Sequence, residues 1–217
     1  AQLFNYVEDI QYKQLVVYKP FKFGNIAVSY TFLDYGKYEI TTVSDKQGGS
    51  SGTIENKSSS IQATYAKKIN KLNIGITTKF VQDKLYTYSA EQLSLDLGIQ
   101  YLLNSRLSLG ASSTNISLTK AKYLSQKAHM RRIDRLGIVY SPALLKKNTS
   151  YYFDFILLDS KTIEFSLGTS IRLHNKLSVY LGKESVSDMN DFSMGLSFNS
   201  NLFELDFKAC DSNLFGF

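Results

Sequence analysis

The sequence predicts an all-β fold of antiparallel strands that run up and down, and three observations lead to it. Apolar and polar residues alternate over long stretches. In 72–80, most even-numbered positions are apolar and the odd-numbered ones are polar or glycine, a period that puts the two sets on opposite faces of a strand. The chain has 15 Tyr and 14 Phe but only 2 Pro, which favours strands. Glycines occupy the polar side of seven such stretches: Gly75, Gly98, Gly110, Gly137, Gly168, Gly182 and Gly195.

Alternation and turn residues together predict about twelve strands. They lie near residues 10–18, 24–33, 58–67, 71–81, 90–102, 105–115, 132–141, 150–158, 162–172, 176–184, 190–199 and 201–210. Pro20 separates the first two strands. Several later turns begin with asparagine, as at Asn70, Asn104 and Asn175, because its side chain supports a tight turn. A leucine then restarts the apolar face.

The connections between these strands fall into two classes that largely alternate. Short connections lie at Pro20, 67–71, 103–105, 142–148, 173–175 and 199–201. Longer or more polar connections lie at 44–57, 82–89, 116–131 and 185–189, while 159–161 is a tight exception. Short turns at one end and long loops at the other are typical of outer-membrane barrels, and a soluble up-and-down barrel can show the same asymmetry.

The pattern also predicts how the chain would meet a membrane. No stretch approaches the roughly 18 apolar residues of a transmembrane helix, so only a closed barrel would satisfy every backbone group in lipid. Mid-strand residues on the polar side are mostly Ser, Gly, Thr, Asn and Gln, whereas a soluble sheet commonly hydrates its open face with charged residues. We therefore expect an antiparallel up-and-down transmembrane β-barrel with a small-residue polar interior.

A second interpretation is a soluble or surface-attached antiparallel β-sandwich that acts as a binding module. It predicts that Ile74, Ile76, Leu95 and Leu97 form a core. The barrel predicts instead that these side chains face lipid.

Charge is distributed in a way that does not favour nucleic acid. The net charge is +6, but the positive residues are spread over loops and strand ends rather than gathered in a stripe. One dense group surrounds His129 in and beside the loop 116–131: Lys120, Lys122, Lys127, Arg131, Arg132 and Arg135. It suits a loop that contacts anionic lipid headgroups or an acidic partner, and a solvated loop at a strand end is the alternative.

No catalytic or cofactor site is predicted. An outer-membrane lipase would need a histidine base, and the chain offers only His129 and His174, neither of which is near a nucleophile motif. Acidic residues lack metal-ligand spacing, the glycine-rich 48–52 lacks the Lys-Ser/Thr of a phosphate loop, and Cys210 has no second cysteine to pair with. We expect a chain that is not an enzyme and needs no metal or cofactor.

One stretch carries a family resemblance. Residues 63–80, ATYAKKINKLNIGITTKF, with Tyr88-Ser-Ala90 and the run 95–101, LDLGIQY, are similar to the PorV/PorQ-like outer-membrane proteins of the FadL-like barrels. The resemblance implies about fourteen strands. It also implies transport of hydrophobic solutes, or a role in type IX secretion, in which hydrophobic small molecules or secreted proteins would be the partners besides outer-membrane lipid.

The resemblance also leads to expectations about the two ends of the chain. The family's opening Asn-Pro-Ala-Gly-like motif and plug-like segment are absent, so the chain reads as a shortened or degenerate relative that forms a single barrel domain over 1–217. It begins at Ala1 without a hydrophobic export segment. We expect that a signal peptide has been removed and that the protein resides in the bacterial outer membrane.

Overall fold

The computed structural model describes residues 2–5, 10–41, 43, 46, 52–123, 126–142, 148–159, 161–186, 189–199 and 204–211. These residues form fifteen strands. Their bounds are β1 Gln2–Asn5, β2 Gln11–Phe21, β3 Gly24–Glu39, β4 Thr53–Ile69, β5 Leu72–Leu85, β6 Tyr88–Leu102, β7 Leu107–Ser117, β8 Ala121–Tyr123, β9 Gln126–Ala128, β10 Ile133–Tyr140, β11 Thr149–Leu158, β12 Thr162–His174, β13 Leu177–Val186, β14 Met189–Asn199 and β15 Glu204–Asp211.

Thirteen strands form one sheet in which each strand pairs with the next in chain order, β7 passing directly to β10. Adjacent strands whose register is defined residue by residue pair antiparallel. For example, Val17 lies opposite Val28 and Gly168 lies opposite Gly182. The predicted all-β, antiparallel up-and-down fold is therefore confirmed. Each of the twelve predicted strands corresponds to one of the strands β2–β7 and β10–β15.

Several details differ from the sequence prediction. The short strand β1 adds a thirteenth member to the sheet, and β8 with β9 forms a separate hairpin inside the predicted loop 116–131. The predicted long loop 82–89 is instead a tight turn, because β5 continues to Leu85 and β6 begins at Tyr88. Tyr86 adopts a positive φ of 56° there, and its N–H donates to Asn56 Oδ1 at 2.9 Å, a contact from another strand that local sequence does not reveal.

Strands β3 and β4 extend further than predicted. Alternation falters at Asp34-Tyr35-Gly36, where the pairing register shifts between Asp34 and Lys37. The Gly36 N–H donates to Asp34 Oδ1 at 3.1 Å. A bulge of this kind lets a strand continue past a break in its pattern, so the pair reaches Glu39 opposite Thr53.

The β2–β3 turn depends on a glycine. Gly24 has a φ of 153°, and a Cβ at this position would lie 2.6 Å from the Tyr65 ring. Tyr65 Oη in turn donates to the Phe23 carbonyl at 2.8 Å. The close approach of an aromatic ring to the backbone therefore requires glycine here.

The chain divides into two compact units. Unit 1 comprises Ala1–Lys67, Gly75–Leu97 and Asn115–Met130, and unit 2 comprises Lys68–Ile74, Gly98–Thr114 and Arg131–Phe217. Whether 1–217 acts as a single domain stays a prediction. In the described ranges, no helix reaches the length and apolarity that a membrane-crossing helix needs.

In unit 1, burial runs opposite to that of a water-soluble sheet. On β6, Ser94 has no exposed surface, whereas Leu97 is 43% exposed. On β5, Ile76 is exposed while its neighbour Thr77 is half-buried. The alternation thus produces an exposed apolar face and a sheltered polar face, which we call by those names below.

Unit 2 shows the same inversion. On β12, Glu164 is only 6% exposed, while Leu167 on the opposite face is 53% exposed. Across the described residues, only four hydrophobic side chains are buried, namely Ala90, Ala121, Ile156 and Leu158. The core predicted by the sandwich alternative is not formed, because Ile74, Ile76 and Leu97 are exposed and Leu95 is half-buried.

Candidate functional site: the polar face of the sheet

The polar face of unit 1 is lined by hydroxyl and amide side chains that bond to one another across strands. Gln14 Nε2 donates to Thr31 Oγ1 at 3.3 Å, and the Thr64 and Thr77 hydroxyls lie 2.9 Å apart. The alternation of each strand delivers these groups to one side, and pairing places them opposite each other. The result is a surface of neutral polar groups that can exchange hydrogen bonds with water or a polar solute.

One ion pair anchors this face. Lys79 Nζ lies 2.6 Å from Asp96 Oδ2, and the two side chains are 14% and 19% exposed. Lys79 Nζ also donates to Asn115 Oδ1 at 2.9 Å, and the Asn115 N–H donates to Asp96 Oδ1 at 2.8 Å. Asn115 has a positive φ of 59°, a conformation asparagine tolerates better than most residues. The triad joins β5, β6 and β7, and its charges are internally compensated.

A second cluster attaches the segment after β7 to the polar face. Gln92 Nε2 donates to Ser117 Oγ at 2.7 Å, and the Met130 N–H donates to Gln92 Oε1 at 3.1 Å. Ser94 Oγ lies 3.7 Å from Met130 Sδ. Gln92 and Ser94 are both buried. The chain at Met130 therefore covers part of the polar face of unit 1 and reduces the space beside it.

The polar face of unit 2 carries acidic groups and several glycines. The Asp154 carboxylate occupies the space next to Gly137 that a Cβ would fill, and Ser193 Oγ does the same at Gly182. Gly98 differs, because a Cβ there would meet nothing within 4 Å. Glu164 is buried and forms no ion pair or hydrogen bond among the described residues.

The predicted basic group divides between the two units. Lys120, Lys122 and Lys127 belong to unit 1, and Arg131 and Arg132 belong to unit 2. Lys122 and Lys127 lie directly opposite each other in the β8–β9 hairpin. The structure describes their backbone positions and not their side chains.

The arginines of the group are partly engaged. Arg132 Nε and Nη2 donate to Asp134 Oδ1 at 3.0 and 2.9 Å, and Nε also lies 3.2 Å from Ser113 Oγ. Arg131 Nε lies 3.8 Å from Asp159 Oδ2. Lys120 is exposed. Arg132 thus stabilises the start of β10 through these bonds. It is therefore a poorer candidate for binding a partner than the exposed Lys120.

Among the residues that the structure describes, neither histidine contacts a catalytic partner. His174 is the last residue of β12 and His129 is exposed after β9. In the part of the chain that the structure describes, no group of three or more His, Cys, Asp or Glu side chains could hold a metal ion. The absence of enzymatic activity stays a prediction. The Cys210 side chain and most of 48–52 lie outside the described residues.

The Lys79–Asp96–Asn115 triad is the feature that sequence analysis missed. Lys79 and Asp96 both fall on the polar side of predicted neighbouring strands, and that opposition of unlike charges was the available signal. The positive φ of Asn115 gave no signal, because it depends on the bonds that the residue makes in the folded sheet.

Comparison with known proteins gives little further guidance. No family model and no curated protein matches the chain. One solved structure with a similar fold is described as a KdgM porin, with 12% sequence identity, a TM-score of 0.47 and coverage of 90% of this chain and 95% of that chain. Both the identity and the TM-score are too low for this likeness to bear on what the protein does.

Proposed function

We propose that this chain is an outer-membrane β-barrel channel whose polar face lines the lumen and passes small polar solutes. The observation that carries the proposal is the inverted burial of the two units, with serine, glutamine and glutamate sheltered and leucine, isoleucine and phenylalanine exposed. Apolar exposure on this scale would drive a water-soluble protein to associate. It is what a lipid-facing barrel surface needs, with polar groups alternating toward the lumen.

The chemistry of the polar face favours polar cargo over hydrophobic cargo. The hydroxyl and amide pairs of unit 1, such as Thr64 with Thr77 and Gln92 with Ser117, lose hydrogen bonds to water when an apolar solute passes. A polar solute replaces those bonds. The transport of hydrophobic solutes implied by the PorV/FadL-like resemblance is therefore the weaker form of the proposal.

A heat-modifiability gel tests the barrel itself. Chain recovered from an outer-membrane fraction is compared in mild detergent with and without boiling. A closed barrel resists the detergent and migrates as a compact form until it is boiled. A single unchanged band, with the protein in the soluble fraction, would reject the membrane proposal.

Solute passage is tested by narrowing the proposed lumen. Gly98→Trp directs a large side chain into space that is open on the polar face, so we expect an intact fold and a several-fold slower influx of small sugars into proteoliposomes. Ala63→Trp is the matched control, because Ala63 is exposed on the apolar face of β4. Equal influx through both variants would contradict a lumen on the polar face.

The opposed lysines of the β8–β9 hairpin support a second role, the capture of an acidic partner such as a secreted protein. In intact cells, chemical cross-linking should attach the partner protein to the natural chain and give an additional gel band. The double variant Lys122→Ser, Lys127→Ser should lose this band, while its sugar influx is unchanged. Lys176→Ser, in a short turn, should keep it. Cross-linked bands that persist in the double variant would reject this role. If the natural chain gives no cross-linked band, and the double variant binds anionic vesicles less than the natural chain does, the hairpin contacts lipid headgroups instead.

A further inference from the structure

The apolar face of unit 2 contains a groove of about 890 Å³ that crosses β10–β15, a volume within the range of small-molecule sites. Two small side chains on the apolar face, Thr169 and Ala209, lie among larger ones that line it. Phe153, Leu167 and Met194 are among the exposed apolar residues that line it. In the proposed membrane orientation this groove opens to lipid.

Among the described side chains that line the groove, one is charged, that of Lys183. The strand registers place Lys183 in a cross-strand row with Phe153, Leu167 and Phe192. Its Nζ lies 5.2 Å from the centre of the Phe192 ring, and among the described side chains it forms no ion pair. Leu177, Val179 and Leu181 precede it on the same face of β13. An apolar band therefore ends at an unneutralised ammonium group.

Such a lysine is costly on a lipid-facing surface unless it reaches an anion. A lysine on the outer face of a barrel costs roughly 2–4 kcal/mol at the membrane midplane and about 0–1 kcal/mol near the interface. The Phe192 ring offsets part of this by a cation–π contact. A phosphate supplies the missing counter-charge, and the acyl chain attached to it fits an apolar groove.

We propose that this groove binds one anionic phospholipid, with the phosphate at Lys183 Nζ and an acyl chain along Phe153, Leu167 and Met194. The inference rests on the membrane location proposed above. The single ammonium group favours an anionic lipid over a zwitterionic one. In a zwitterionic headgroup, the headgroup's own cation competes with Lys183 for the phosphate. The groove is large enough for an acyl chain, and a free phosphate would leave it unfilled.

The test compares lipids that share acyl chains and differ in headgroup. The folded protein in neutral detergent is titrated with phosphatidylglycerol or phosphatidylcholine, and the midpoint temperature for loss of the compact gel form is measured. We expect phosphatidylglycerol to raise the midpoint more than phosphatidylcholine does. Inorganic phosphate alone should give no shift, because it cannot occupy the groove.

The variants separate charge from groove. Lys183→Gln should abolish the difference between the two lipids, Lys183→Arg should keep it, and Thr169→Trp should reduce the effect of both lipids by filling the groove. Lys176→Gln, outside the groove, should behave as the natural chain does. Equal shifts from both lipids in the natural chain, or an unchanged difference in Lys183→Gln, would overturn the lipid site. Absence of any compact form would overturn the membrane proposal as well.

Discussion

At the scale of single residues, the Lys79–Asp96–Asn115 triad is the most sharply defined interaction of the polar face. Its ion pair is short and largely sheltered, so removal of one partner leaves a charge that water solvates poorly. We expect Lys79→Met to lower the free energy of unfolding by about 3 kcal/mol, the low end of the range for buried pairs because both groups are partly exposed. Urea unfolding of the protein in lipid vesicles measures this.

The double variant Lys79→Met, Asp96→Asn provides the control for that prediction. Removal of both charges restores neutrality, so its loss of stability should be smaller than that of Lys79→Met alone. A double variant that is less stable than Lys79→Met would show that the pair acts by packing and not by charge compensation.

At the scale of elements, the far end of the β3–β4 pair is predicted to respond to acid. The strands have 16 and 17 residues, and a membrane crossing needs roughly 9–11, so this end lies outside the proposed bilayer. Hydrogen bonds from Lys37 and Lys57, together with their charges, lower the pKa of Glu55 to about 2. The corresponding Nζ–Oε distances are 2.7 and 2.8 Å.

The sign of the effect follows from the lowered pKa. A depressed pKa means that the folded hairpin prefers the ionised Glu55, so its contribution is complete above the ordinary pKa of 4.5 and is lost as pH falls toward about 2. The protection factors of the amides near Tyr38 and Ile54, in which the intrinsic pH dependence of exchange is divided out, should fall over that interval. In Glu55→Gln these protection factors should already be lower at neutral pH and should stay constant over the same interval, and an unchanged profile in that variant would assign the effect to another group.

At the scale of the whole molecule, the proposed membrane orientation predicts that adjacent residues respond differently to the same charge. Ile76 is exposed on the apolar face of β5, and Thr77 faces the polar side. Ile76→Arg should cost roughly 2–4 kcal/mol near the bilayer midplane and hinder insertion. Thr77→Arg should insert, with a loss of about 1 kcal/mol from its hydrogen bond to Thr64. Folding into vesicles, followed by the compact gel band, measures both.

The opposite outcome is equally informative. Folding of Ile76→Arg into vesicles as readily as the natural chain, together with failure of Thr77→Arg, would mean that the polar face meets the bilayer and would reverse the assignment of the two faces.

The sequence by itself determined where the twelve main strands lie and which face their side chains take. Both follow from a two-residue period that neighbouring residues establish, as 72–80 illustrates. Short turns such as the one at Asn70 were predictable because they too depend on a few consecutive residues. Several features were decided only by tertiary structure: the tight turn at Tyr86, the Asn115 bond to Asp96 and the groove around Lys183. Each depends on atoms from strands distant in sequence, whose approach is set by pairing register and not by any local pattern.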